Sequence, residues 1–468
     1  MEDIIDNNHY CAWRTKAYEL TLRIEQLERM IFGKRSEKMP SVKKEVKHPV
    51  ELEAVQKTRR ERRALREELP EITIEHKVKE EDKQCKKCGS SELKKVGNGR
   101  ITTLIEYIPA RLERQVHIQE TLACPCGEYV VTADAPIRPI EGGHYGPAFM
   151  ANIVTSKCVD SIPLYRMEKQ LKRAGLSMSR STLCNLFHQT ALALKPIYQH
   201  MLDKMPSYSL VLADETPLPV QAENKTHKGF IWSFINDDYI LYRYSRTRSG
   251  ITPSEVLKDS VGVLLADGYS GYNRLCTPDG RVRAGCFAHA RRKFFEAKDT
   301  ACEANHVLEQ IKALYQIEYD AINIGAKSEK HLELRQQRAG PILSGLHEYL
   351  LEQEGLHPPK SPMGKAVNYM LNNWQELNQF LNDPRLPLDN NASERALRII
   401  ALGRKNYLFA GNDDAAENLA GLYSLVASCE LHNINPEHYL ADVLIRVHSH
   451  PQQAIEELLP HRWKMIVN

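Results

Sequence analysis

The chain is 468 residues long, 42% hydrophobic and 26% charged, with 63 Lys+Arg against 60 Asp+Glu. This balance excludes wholesale disorder and a collagen-like or mucin-like chain, and no apolar run approaches the ~18 residues that span a bilayer, so no membrane partner is expected. A net charge of +3 names no partner, so only local charge can.

The length suits roughly three domains of ~150 residues. Eleven cysteines, an odd number scattered through a long chain, argue against a disulfide framework. Met1 to Tyr10 is acidic and polar, not a secretory signal, and a cytoplasmic chain is expected.

The first element is a helix in 1–33. Tyr10, Trp13, Ala17, Leu20, Ile24, Leu27 and Ile31 recur at alternating steps of three and four, a seam for a short coiled coil that pairs two chains. A helix packed on its own protein has the same pattern. Residues 34–70 form a basic linker; from 34 to 66 it carries twelve Lys/Arg against five Glu, a net of +7 that attracts phosphate or simply solvates an arm.

Residues 71–145 read as short strands around Cys85-Lys-Lys-Cys88-Gly and Cys124-Pro-Cys126-Gly. Two cysteine knuckles, each followed by Gly, suit a tetrahedral structural zinc site with no open position for catalysis. The second knuckle is one residue short of the usual spacing, so unrelated reduced thiols remain the alternative. Residues 146–206 are helical: Leu164–Arg173, a turn at Ala174-Gly175-Leu176, a cap at Ser179 and a helix from Arg180 to Leu194. Helix, tight turn, helix outlines either a helix-turn-helix or an ordinary helical hairpin.

From 207 the pattern becomes strand-like. Ser209–Ala213 is an apolar strand expected to end at Asp214. Gly229–Ile235 and Tyr239–Tyr244 flank the turn Asn236-Asp237-Asp238. Pro253–Lys258 is a short helix, Gly262–Ala266 a strand ending at Asp267, and Val282–Phe287 a strand leading into a helix through Phe295. Residues 296–385 are almost wholly helical, a helix starts near Asn391, and helices fill 427–468.

Val211-Leu212-Ala213-Asp214 and Leu264-Leu265-Ala266-Asp267 each deliver an Asp from a buried strand. Side by side at ~4 Å, such charges repel by about 4 kcal/mol at an effective dielectric of 20, which demands a proton or a cation between them. Asp214-Glu215-Thr216-Pro217 and Asp267-Gly268 are also good turn sequences. Glu394 either completes a capping box with Asn391 or, beside Arg395, Arg398, Arg404 and Lys405, serves as a metal ligand near a polyanion. Asp214, Asp267 and Glu394 together would suit two divalent cations at a phosphodiester.

In that order along the chain these motifs resemble the large transposase subunit of the insertion-sequence-66 family, a DDE transposase. The resemblance rests on Phe32-Gly33-Lys34-Arg35-Ser36-Glu37-Lys38, the cysteine module, Pro163-Leu164-Tyr165-Arg166 and Ser179-Arg180-Ser181-Thr182-Leu183. It rests further on Asp214-Glu215-Thr216-Pro217, Ala266-Asp267-Gly268-Tyr269, Asn390-Asn391-Ala392-Ser393-Glu394-Arg395-Ala396-Leu397-Arg398, Ala401-Leu402-Gly403-Arg404-Lys405-Asn406 and Leu458-Leu459-Pro460-His461-Arg462-Trp463. It implies a multidomain α/β chain. An RNase H-like mixed-sheet catalytic core (207–295 plus 386–426) would hold a helical insertion (296–385). An N-terminal coiled coil, a zinc-ribbon-like module and a helix-turn-helix-like region would precede it.

The resemblance implies that Asp214, Asp267 and Glu394 hold two Mg2+ or Mn2+ ions, and that Cys85, Cys88, Cys124 and Cys126 hold structural Zn2+. Cys286-Phe287-Ala288-His289 resembles a C-x-x-H element of DDE transposases. DNA contacts are expected from Arg180, Ser181, His289, Arg291, Arg292, Lys293, Arg395, Arg398, Arg404 and Lys405. Cleavage at element ends and strand transfer into target DNA are implied, by a homodimer or higher oligomer that associates with the nucleoid and with small accessory proteins of the same element. The rivals are an RNase H-like nuclease without strand transfer and a non-catalytic zinc-containing DNA-binding regulator.

Overall fold

A computed structural model of the chain describes residues 112–123, 130–223 and 225–464. The seam of 10–31, the basic stretch 34–66 and Cys85, Cys88, Cys124 and Cys126 lie outside the described residues. Two short antiparallel strands, β1 (Thr121–Ala123) and β2 (Val130–Thr132), lead to four helices: α1 (Pro147–Cys158), α2 (Leu164–Arg173), α3 (Arg180–Ala193) and α4 (Lys195–Lys204). Gly175, at φ +90°, turns the chain between α2 and α3, a conformation that suits only glycine. Ser179 Oγ then accepts from the Thr182 amide at 3.1 Å and caps α3, as its sequence predicts.

A five-stranded mixed sheet follows: β3 (Leu210–Gln221), β4 (Thr226–Ile235), β5 (Ile240–Ser245), β6 (Gly262–Leu265) and β7 (Arg281–Ala284), in the order β5-β4-β3-β6-β7. β5, β4 and β3 pair antiparallel; β3, β6 and β7 pair parallel. Asn236 Oδ1 accepts from the amides of Asp238 and Tyr239, both at 2.8 Å, and so builds the β4–β5 turn. α5 (Ile251–Leu257) bridges β5 and β6.

Helices dominate the rest. α6 (Phe287–Ala297), α7 (Ala304–Ile324), α8 (Glu329–Gln353), α9 (Pro362–Asn372) and α10 (Trp374–Leu377) precede α11 (Asn391–Tyr407), α12 (Asp413–Leu431) and α13 (Pro436–Arg446). α11 packs on β3 and β4, α12 on β5, and α13 on α1. One apolar cluster runs from Met150 in α1 through the sheet to Leu459.

Two expectations need correction. β3 does not stop at Asp214 but continues to Gln221, because β4 pairs with it as far as Gln221↔Thr226. Its prolines, Pro217 and Pro219, do not break it. Pro219 O accepts from the Ala410 amide (2.9 Å), so residues of this parity face away from β4, on the side where β6 has already ended at Leu212↔Leu265. The missing proline N–H groups therefore have no ladder partner to lose. β7 ends at Ala284, short of Phe287, because the backbone there leaves the sheet: Gly285 N donates to Glu376 O and Phe287 N to Leu388 O.

The outer edge of β5 is closed by side chains. Ile240 N donates to Ser428 Oγ (3.0 Å) and Tyr242 N to Ser424 Oγ (2.8 Å). Two residues of strand advance ~6.6 Å and four residues of helix ~6.0 Å, so serines at i and i+4 of α12 match alternate strand amides.

Candidate active site

β3 and β6 are parallel neighbours in the register Leu212↔Leu265. Asp214 lies two residues beyond Leu212 and Asp267 two residues beyond Leu265, so the two acids leave the paired strands at equivalent positions. Each carboxylate has one oxygen on a nearby amide: Asp214 Oδ1 accepts from Glu215 N (2.8 Å) and Asp267 Oδ1 from Tyr269 N (2.9 Å). Among the described residues no Lys or Arg pairs with either. Burial, above all, pushes Asp214 up to about 7; the Glu215 amide opposes this, and the charges of Glu215, Asp267 and Glu394 add to it.

Glu394 comes from the first turn of α11. The competing role as a capping-box acid is not realised. Asn390 stands at the cap position without a side-chain cap, and its Nδ2 donates instead to Ala213 O at 2.8 Å. The Asn390 amide donates to Cys286 Sγ (3.1 Å), and Arg404 Nη1, further along α11, reaches Thr216 Oγ1 (2.8 Å) and Pro217 O. The helix is thus pinned along β3 beside Asp214. The Glu394 carboxylate meets Arg292 Nη2 at 3.1 Å, with His289 Nε2 at 3.8 Å. Burial lowers the His289 pKa against the pull of Asp267 and Glu394.

The helical insertion sets the approach to α11. Arg335, 1% exposed, pairs with Glu318 (2.6 Å) and donates to the carbonyls of Phe380, Asp383 and Leu386 at 2.8–3.0 Å. Tyr315 OH donates to Asp389 Oδ2 (2.8 Å), while Asp389 Oδ1 accepts from Asn391 N (3.0 Å). From β7, Arg283 holds the acid's own loop, donating to the carbonyls of Asp267 and Tyr269 and to Asn273 Oδ1. Sequence reading missed Arg283, Arg335 and the tether role of Asn390. The only available signal was an arginine at alternate positions of a short strand, Arg281 and Arg283.

The remaining basic positions divide. Arg292, Arg395, Arg398 and Lys405 are exposed; Lys293 is half-buried, over the Tyr369 ring at 4.8 Å. Arg291 is half-buried, over the Phe295 ring at 5.8 Å, and Arg404 is half-buried against β3. Arg180 and Ser181 are exposed at the start of α3, where Ser181 Oγ bonds Ser179 Oγ (2.8 Å). α3 packs on α1, α2 and α12, which carry none of the three acids.

The donor chemistry of Asp214 and Asp267 fits a hard divalent cation: oxygen ligands only, half-buried, of like charge and without a paired Lys or Arg among the described residues. Glu394 is the exception, being tied to Arg292, and among the described residues no three acidic, His or Cys side chains gather as a ligand set.

A family model described as "Transposase IS66 family" matches residues 142–418. A second, "IS66 C-terminal element", matches 424–461, and a third, "zinc-finger binding domain of transposase IS66", matches 82–127 and so spans all four cysteine-knuckle positions. The chain is also similar to uncharacterized proteins of Sinorhizobium fredii (strain NBRC 101917 / NGR234). One, y4hP, is 31% identical over 95% of this chain and 88% of its own length; another, y4jD, is 33% identical over 83% and 79%.

Proposed function

We propose that this chain, which belongs to the IS66 transposase family, cleaves DNA at insertion-sequence ends and transfers the freed 3′ ends into target DNA. The observation that carries the reading is the equivalent placement of Asp214 and Asp267, each two residues past the last β3–β6 pair and neither paired with a described Lys or Arg, beside a helix that brings Glu394. The strand order, with two antiparallel and then two parallel pairings, supports an RNase H-like core.

Asp214, Asp267 and Glu394 would hold two Mg2+ or Mn2+ ions, which supply activation of the attacking oxygen and stabilisation of the departing one. Glu394 must leave Arg292 to join them, and Arg292 is then released toward the phosphate. In the first reaction water attacks the phosphodiester at the element end, the P–O3′ bond breaks and a 3′-hydroxyl is freed. In the second that hydroxyl attacks a target phosphodiester, so one P–O bond forms as another breaks.

Arg180, Ser181, His289, Arg291, Arg292, Lys293, Arg395, Arg398, Arg404 and Lys405 form the proposed DNA-contact set, with Arg404 also fastening α11 to β3. A structural zinc on Cys85, Cys88, Cys124 and Cys126 is supported by the zinc-finger match. A helix-turn-helix at α2–α3, dimerisation through the 10–31 seam and accessory proteins of the same element complete the reading.

The test is end cleavage with magnesium by the full chain against Asp267→Asn, followed by a joining assay with pre-cleaved ends. Magnesium-dependent nicking and joining by wild type alone are expected. Equal activity in Asp267→Asn would sink the assignment.

A further inference from the structure

The solvent face of α11 carries a stripe beyond its acid. Arg395, Arg398, Leu402 and Lys405 are all exposed, at steps of three, four and three, and Phe409 continues the series past the helix end. The helix stops because Leu408 takes φ +68°, ψ −48°. Phe409 N donates to Tyr407 O (2.8 Å), closing a three-residue turn of the rare positive-φ form.

Such a turn is strained for leucine and persists only where neighbours impose it. Here Ala410 does so, clipped to β3 on both sides: Ala410 N donates to Pro219 O (2.9 Å) and Gln221 N to Ala410 O (2.8 Å). The result is an apolar pair held outward, Leu408 64% and Phe409 41% exposed. At its base lies a cavity of about 290 Å³ lined by Pro217, Pro219, Thr226, His227, Lys228 and Arg404.

We propose that Leu408 and Phe409 form an apolar wedge that enters a base step of duplex DNA. Charge complementarity selects this partner. Arg395, Arg398 and Lys405 line the approach and Lys228 and Arg404 the base, so the partner must offer repeated negative charge next to flat apolar surface. A DNA duplex does: phosphates flank stacked bases, and leucine and phenylalanine are among the side chains that pry such steps apart.

The inference rests on the DNA-cleaving reading above, which puts the scissile phosphate near Glu394. At ~1.5 Å rise per residue, Leu408 lies ~21 Å along from Glu394. At ~3.4 Å per base pair that reaches a step no farther than about six base pairs from the cleaved bond.

The test uses the full chain and duplexes copying each end of the DNA element that encodes it together with its flank, with 2-aminopurine placed singly at about six positions on either side of the cleaved bond. Wild type should raise the fluorescence at one step within that range, and Asp267→Asn should do the same without cleaving. A Leu408→Ala, Phe409→Ala double variant should lose the rise about threefold or more while still binding in a salt-dependent way. Its cleavage should recover on a duplex mismatched at that step, and Leu408→Met should keep the rise.

No rise in wild type, or an equal rise in the double variant, overturns the wedge whatever cleavage does. A rise without any magnesium-dependent cleavage leaves the wedge standing and fails the catalytic reading instead. If the double variant alters only the sedimentation of the free chain, the tip is a contact between copies and the wedge is overturned.

Discussion

Asp214 and Glu215 are adjacent on β3, point to opposite faces and are both largely withdrawn from water, yet their carboxylates have opposite surroundings. Glu215 has a side chain 2% exposed that meets Arg248 at 2.5 Å and accepts from Tyr272 OH at 2.8 Å. Arg248 in turn lies over the Tyr269 ring, 4.1 Å from its centroid, in a cluster with Trp232 and Tyr272. Asp214 receives one backbone amide and faces two more acids. A buried acid supplied with its counter-charge stabilises one conformation. A buried acid left without one stores free energy that an arriving cation can release.

The largest effect should separate the two faces by activity. Asp214→Asn and Asp267→Asn are expected to lower magnesium-dependent cleavage at least about a thousandfold while leaving thermal stability equal or higher. A stability loss that accounts for the inactivity would erase the contrast.

Next is pH. Folding raises the Asp214 carboxyl from 3.8 to about 7, so the stability linked to it is full below its unfolded pKa and is lost as pH rises through about 7. Denaturant titration of the metal-free chain should show a decline on the order of 4 kcal/mol over that window from this group, absent in Asp214→Asn. A pH slope identical in the variant would show that the charge is neutralised by a group not identified above.

On the other face, Arg248→Ala should destabilise by about 3 kcal/mol, since it strands the Glu215 charge. The Arg248 side chain is 45% exposed, which places the effect at the low end of that range. A change below about 1 kcal/mol would mean Tyr272 alone suffices. Ser424→Ala and Ser428→Ala should each lower stability by about 1–3 kcal/mol, because each leaves a strand amide without its acceptor. The smallest effect concerns the ion pair that holds Glu394. Arg292→Gln should tighten magnesium binding by at most about fivefold, as expected for a pair this open to solvent. Weaker binding in that variant would refute Arg292 as a competitor for Glu394.

What could be read in the residues was local. The cap at Ser179, the turn at Asn236 and the apolar runs of β4 and β6 are short-range patterns, and the structure has them where the patterns lie. The length of β3 was not legible: prolines at 217 and 219 look like terminators until β6 is seen to end at residue 265, out of their way. The counter-charge of Glu215 lies 33 residues away, and the arginine that fixes the approach to α11 sits in the insertion, so nothing near either acid in sequence announces them.

The serine pair on α12 has a consequence for assembly. With its amides already occupied at Ile240 and Tyr242, β5 offers no template on which a neighbouring molecule could zip up a further strand. Under the function proposed above, a complex holding two DNA ends would not be assembled by sheet extension at that border.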